Sequence, residues 1–161
     1  MARLFYIAVL AVLFAPGQAL TADEADTAAV RSVLDKNIRS WETNDVPLFT
    51  SIFAHDDDMV NYGTDAAERW VGWNALKASV EKQTAAFADT KMTVQHRDIK
   101  LAADGNVAWA AEVLDWSTRT GSEIVNLTGM RVTTVLEKRQ GAWLIVHTHY
   151  SVPVAGQAIK Y

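Results

Sequence analysis

From Glu24 to Thr43 the apolar residues Val30, Val33, Leu34, Ile38 and Trp41 recur at three- and four-residue spacing, with Asp, Lys and Arg on the other face. That period predicts an amphipathic helix. Thr21-Ala22-Asp23-Glu24 has the form of a capping box, in which the Thr hydroxyl and the Glu carboxylate satisfy orphan amides at the helix start. Asn44 ends the helix, and Asp45 can cap a second, short one with Pro47 in its first turn and Val46, Leu48, Phe49, Ile52 and Phe53 as its apolar positions. The acidic run Asp56-Asp57-Asp58 reads as a solvated turn, because it lacks the spaced oxygen ligands and glycine of a calcium loop. Met59 to Tyr62 reads as a short strand and Gly63 to Arg69 as a polar loop. Trp73, Leu76, Val80 and Phe87 mark a third helix over residues 74–88.

After Thr90 the period changes from helical to alternating. Residues 92–101, 107–118, 123–138 and 143–152 read as four strands, separated by turn signals at Asp104-Gly105-Asn106, Thr120-Gly121 and Gln140-Gly141. Helices first and an antiparallel meander afterwards predict an α+β fold, with the sheet bent around the helices. The 161 residues suit one domain, expected over 23–155, with 156–161 as a C-terminal tail.

Residues 1–19 have the layout of a secretory signal. Arg3 precedes an apolar run over 4–15, Pro16-Gly17 breaks it, and small residues stand at Gly17 and Ala19, with cleavage after Ala22 as the alternative. The run is about a dozen residues, short of the roughly 20 that span a bilayer as a helix. An exported, periplasmic or secreted protein is the expectation, with no membrane association once the signal is removed. Half of the residues are hydrophobic and the net charge is −4, which exclude a mainly disordered chain and give no general attraction for nucleic acid. The absence of cysteine excludes disulfides, thiol nucleophiles and thiolate metal sites.

Strand alternation assigns the candidate chemistry. Side chains two apart share a face, about 6.6–6.8 Å apart. Unbroken alternation therefore sets Trp143, Ile145, His147, His149 and Ser151 on one side of the last strand, and Leu144, Val146, Thr148, Tyr150 and Val152 on the other. On the preceding strand Arg131, Thr133 and Val135 share a face. A His-x-His pair beside an Arg amid Trp and Ile is expensive to bury unless each polar group finds a partner. It serves either as the polar cluster of an apolar pocket or as volume satisfied by backbone carbonyls. No third ligand stands at the spacing a catalytic zinc needs, so no metal site and no cofactor is expected. Trp109 and Trp116 have opposite parity, which turns one of them inward. Glu112 shares the Trp116 face, where burial would raise its pKa, and Arg131 is the expected counter-ion.

Gly129-Met130-Arg131-Val132-Thr133-Thr134-Val135-Leu136, followed by Trp143-Leu144-Ile145-Val146-His147-Thr148-His149-Tyr150-Ser151-Val152-Pro153, resembles the SnoaL-like branch of the nuclear-transport-factor-2-like superfamily. The W-x-x-V-H-x-H-x-S pattern is also similar to the association domain of calcium/calmodulin-dependent kinase. Trp41-Glu42-Thr43-Asn44-Asp45, the stretch 53–63 and Val71-Gly72-Trp73 add weaker support, so that the resemblance spans about 23–153. It implies a cone-shaped α+β barrel with an internal pocket, dimerised through the outer face of its sheet. His147, His149 and Arg131, sharing faces on adjacent strands with Trp nearby, add the expectation of a small, partly apolar ligand, anionic or carbonyl-bearing. His149 and Arg131 are then the catalytic candidates for an isomerase, hydratase or cyclase reaction, and Tyr62, Trp73, Trp109, Thr133, His147 and Ser151 the candidate pocket lining. The positions at which steroid isomerases hold their acidic groups fall at Asn61 or Tyr62 and near Thr133, without a carboxylate. The alternative reading is a non-catalytic association module, built on the apolar side of the last strand.

Overall fold

Thr21 and Glu24 form the capping box: the Thr21 hydroxyl accepts from the Glu24 amide at 3.3 Å and the Glu24 carboxylate accepts from the Thr21 amide at 2.9 Å. They open helix α1, Ala22–Glu42, in a computed structural model that describes residues 21–157 and 159. The predicted signal over 1–19 lies outside the described residues, as does part of the tail. Asp45 caps helix α2, Val46–Ile52, through the Leu48 amide at 2.8 Å. Strand β1, Val60–Tyr62, and strand β2, Arg69–Val71, come next, then helix α3, Trp73–Ala86, and four longer strands. These are β3, Phe87–Leu101; β4, Val107–Thr120; β5, Glu123–Arg139; and β6, Ala142–Ser151.

The six strands form one sheet in the order β2-β1-β6-β5-β4-β3. All pairings are antiparallel except β1 with β6, which is parallel. Two boundaries differ from the sequence expectation. Arg69–Val71 is a strand rather than the end of a loop and its flank, because it pairs back on Val60–Tyr62; three residues are too few for alternation to register. The third helix stops at Ala86, and Phe87 already pairs with Thr120 in the sheet, with Asp89 at φ 55° absorbing an extra residue.

Irregularities bend the long strands. Gln95 is an extra residue in β3, Thr128-Gly129 holds one in β5, and Val146 one in β6. Gly129 sits at φ 68°, a backbone shape that glycine adopts without steric cost, and its amide donates to Asp115 Oδ1 at 2.8 Å. Such bulges add twist and bend, so the sheet curls into a cone around the helices. The concave side packs Met92, Leu114, Met130, Val132, Leu136 and Ile145 against Val30, Leu34 and Trp41 of α1 and Phe49 of α2. At the acidic run, Asp56 takes both ends of the Arg139 guanidinium at 2.7 and 2.6 Å, while Asp57 and Asp58 are exposed.

Candidate functional site

The bulge at Val146 decides which face of β6 carries which chemistry. Val135 pairs with His147, but the next residue of β5, Leu136, pairs with Ile145. Alternation therefore resets, and the inward residues of β6 are Trp143 and Ile145, then Thr148 and Tyr150. His147, His149 and Ser151 share the outer face with Arg131, Thr133 and Val135, their partners on β5. This corrects the expectation from unbroken alternation. His149 and Arg131 point away from the interior, and both are exposed, as is Thr133.

The other predicted pocket residues also lie elsewhere. Tyr62 is on the exposed side of β1, with its ring 5.5 Å from His149 and 6.2 Å from His147. Trp109 is on the outer face of β4 and 44% exposed, while Trp116 is the inward one of the pair. Trp73 is buried, but against Phe49, Phe53 and the ring of His55 rather than against a cavity. His147 is satisfied by backbone, its Nδ1–H donating to the Val60 carbonyl at 2.7 Å. Ser151 stands opposite Arg131.

A cavity of about 330 Å³ opens between the helices and the concave face. Its walls come from the end of α1 (Trp41), from α2 (Phe49), from α3 (Leu76, Val80) and from the sheet (Trp116, Leu127, Met130, Thr148, Tyr150). The β1–β2 loop, with Gly63, Thr64, Asp65 and Glu68, joins Gln83, Thr120 and Val125 as further lining. Glu68 organises that loop, since one of its carboxylate oxygens accepts from the Thr64 amide at 2.7 Å and the Asp65 amide at 3.1 Å. Trp41 meets Trp116 edge-on at 5.4 Å and Phe49 at 5.7 Å, so the aromatic wall is held by its own packing.

Polar groups interrupt this wall at a few points. The Tyr150 hydroxyl accepts from Asn37 Nδ2 at 3.1 Å, and burial pushes its pKa up to about 12, so the phenol keeps its proton at neutral pH. The buried Trp41 indole N–H is directed toward that hydroxyl and, with Asn37, works against the rise. Thr148 holds Asn61 from two sides, its amide at 2.8 Å and its hydroxyl at 3.0 Å from Asn61 Oδ1, which leaves Asn61 Nδ2 buried and unpaired.

Behind Tyr150 runs a row of paired residues across the concave face: Arg97, Glu112, Val132 and Tyr150, on β3, β4, β5 and β6. Arg97 Nε donates to Glu112 at 2.7 Å, and its Nη1 to Asp35 of α1. Glu112 thus sits on the inner face, as its parity indicates, but its counter-ion is Arg97 and not the outward Arg131. Burial raises the Glu112 pKa despite the opposing pull of Arg97. Among the described residues the cavity lining contains no Lys, Arg or His. Among the described residues no three His, Asp or Glu side chains gather as a metal site.

Sequence reasoning missed Trp41 and Tyr150 as cavity residues. Trp41 lies within the helical period and reads as core, and Tyr150 falls outside only because the extra residue at Val146 is invisible in the run Trp143-Leu144-Ile145-Val146, where every position is apolar.

Residues 30–155 match the model of the SnoaL-like domain family. No curated protein matches the sequence. A nuclear transport factor 2-like superfamily protein from Salmonella enterica superposes with a TM-score of 0.76 at 18% identity, over 87% of this chain and 100% of that one. A candidate dehydratase of the nuclear transport factor 2-like family from Streptomyces avermitilis gives 0.74 at 13% identity, over 83% and 100%. A candidate calcium/calmodulin-dependent protein kinase II association domain from Xanthomonas campestris gives 0.68 at 20% identity, over 90% and 100%. At these identities the likeness is one of fold.

Proposed function

The chain belongs to the SnoaL-like domain family, and we propose that it binds a small, predominantly apolar molecule in the cavity between its helices and the concave face of its sheet. The observation that carries this reading is the cavity itself. Its volume of about 330 Å³ falls at the small end of the roughly 300–1,000 Å³ typical of ligand pockets, and apolar residues form the larger part of its lining. Burying an apolar ligand there would remove water from Trp41, Trp116, Leu127 and Met130 at a gain of about 25 cal/mol per Å² of apolar surface. The reading gives no part to His149 or Arg131.

The test uses 2-isopropenylnaphthalene as probe and the fluorescence of Trp41 and Trp116 as signal. Saturable quenching at one site per chain, lost in Leu127→Trp, whose larger side chain fills the cavity, is the expected result. Non-saturable quenching, or binding that Leu127→Trp leaves unchanged, would overturn the reading.

A second reading concerns the opposite face. Trp109 and Tyr62 are 44% and 38% exposed on the outer side of the sheet, which favours a homodimer formed through that face. Sedimentation at micromolar concentration should give a dimer that Trp109→Lys dissociates; a stable wild-type monomer would remove it. Export is proposed from the sequence of residues 1–19, and the mass of the mature chain from its own host tests it.

A further inference from the structure

Three exposed apolar side chains stand on the segment that follows β6. Val152, Val154 and Ile159 are 42%, 65% and 76% exposed. Over residues 152–161 the one charged side chain is Lys160. A segment that stays in water is ordinarily polar, and one this apolar gains free energy by covering apolar surface. The fold delivers it to such a surface. β6 ends between two walls of the cavity. On one side is β1, where Tyr62 pairs with His149 before the chain enters the cavity-lining stretch from Gly63 to Glu68. On the other is β5, where Arg131 pairs with Ser151 and whose earlier residues Val125 and Leu127 line the cavity.

Strand pairing stops at Ser151 for a physical reason. Pro153 has no amide to donate, and its ring stands where a Cβ on Gly129 would lie 3.7 Å from it. The chain then bends at Ala155-Gly156, with Gly156 at φ 71°, a conformation that glycine adopts freely. Among the described residues the backbone of 152–157 makes no hydrogen bond to the sheet, so little holds the segment in one place. Val125, 39% exposed at the cavity wall, is the nearest apolar rim it can cover. We infer that the segment carrying Val154 and Ile159 is a strap that folds over the cavity mouth onto Val125 when an apolar molecule is bound, and slows its release. This rests on the cavity being a ligand site. A filled cavity offers the strap an apolar floor that an open mouth lacks, so the ligand favours the closed form while the open form admits it.

Release of 2-isopropenylnaphthalene from the full chain, followed by stopped-flow recovery of tryptophan fluorescence, tests the strap. Val154→Ser combined with Ile159→Ser, both at exposed positions, should release the probe about fivefold faster than wild type, with entry changed by less than about twofold. Val125→Ser should also speed release, and in that background the tail pair should lose most of its effect, because the strap has lost the wall it closes on. Hydrogen exchange supplies a readout free of substitutions: the amides of 154–157 in the wild type should exchange more slowly once the probe saturates the cavity. Release unchanged by the tail pair, equal acceleration in both backgrounds, or exchange indifferent to the probe would each overturn the strap and leave the cavity reading standing. So would binding to neutral phosphatidylcholine vesicles that the tail pair abolishes without altering release, which would assign these side chains to a lipid surface. Absence of saturable probe binding by the wild type would overturn both.

Discussion

His147 donates its Nδ1–H to the Val60 carbonyl at 2.7 Å, clamping β6 to β1 beside the parallel strand pair of the sheet. The bond gives the imidazole a structural task and fixes it on the outer side. His147→Ala should cost about 1 kcal/mol of stability through loss of that bond. His149→Ala, at an exposed position, should stay within about 0.5 kcal/mol of wild type. Urea unfolding measures both, and neither variant should alter probe affinity.

Val146 lets Trp143 and Ile145 face the core together with Thr148 and Tyr150. Deleting it would restore unbroken alternation and force one of these two sets to face outward. The expected outcome is loss of cooperative unfolding or a destabilisation of several kcal/mol, far more than Val146→Ala. A deletion variant that unfolds like the wild type would contradict the register.

Arg97 and Glu112 form a buried pair, with side chains 7% and 5% exposed. Removing Arg97 leaves Glu112 without its counter-ion, whereas removing Glu112 leaves Arg97 still paired with Asp35, so Arg97→Met should cost about 3 kcal/mol and Glu112→Leu less, and the double variant less than the sum of the two. The pH dependence has a definite sign. The folded state raises the Glu112 pKa above its ordinary 4.5, so the native chain holds this proton more tightly than the unfolded one. Its contribution to stability therefore falls as pH rises above about 4.5. The difference in stability between wild type and Glu112→Gln, followed by urea unfolding from pH 4.5 to 7, should move against the wild type as pH increases. A difference that is flat or moves the other way would contradict the assignment.

Tyr150 gives a second window. Its pKa stands at about 12 in the folded chain against an ordinary 10, so the folded state keeps a proton that the unfolded state releases. Stability should decline between pH 10 and 12 in the wild type, and less steeply in Tyr150→Phe. Chemical denaturation across that range measures the two slopes.

Most of the fold is legible in the sequence because its elements are long and strongly periodic. The α1 stripe of Val30, Val33, Leu34 and Trp41, the Thr21–Glu24 box and the glycine turns each carry a local physical signal. The alternation itself is equally legible on β4, and along β5 from Met130 to Leu136, but which face turns inward is not: Trp109, Arg131 and Thr133, expected at the pocket, stand on the outer face. The candidate site is not, because it depends on one added residue in an all-apolar stretch and on pairings of high sequence separation. Arg97 with Glu112 and Asn37 with Tyr150 meet only once the sheet has curled. The parity of β3 is likewise reset by Gln95, so the inward turn of Arg97 has no signature in the local pattern.

The central claim is that ligand chemistry resides inside the cone and not on its histidine-bearing outer surface. Nuclear magnetic resonance of the protein titrated with 2-acetylnaphthalene tests it most directly. The indole N–H signals of Trp41 and Trp116 should shift together and saturate, while the ring signals of His147 and His149 stay in place. Saturable shifts of the two histidines with still indoles would contradict the account.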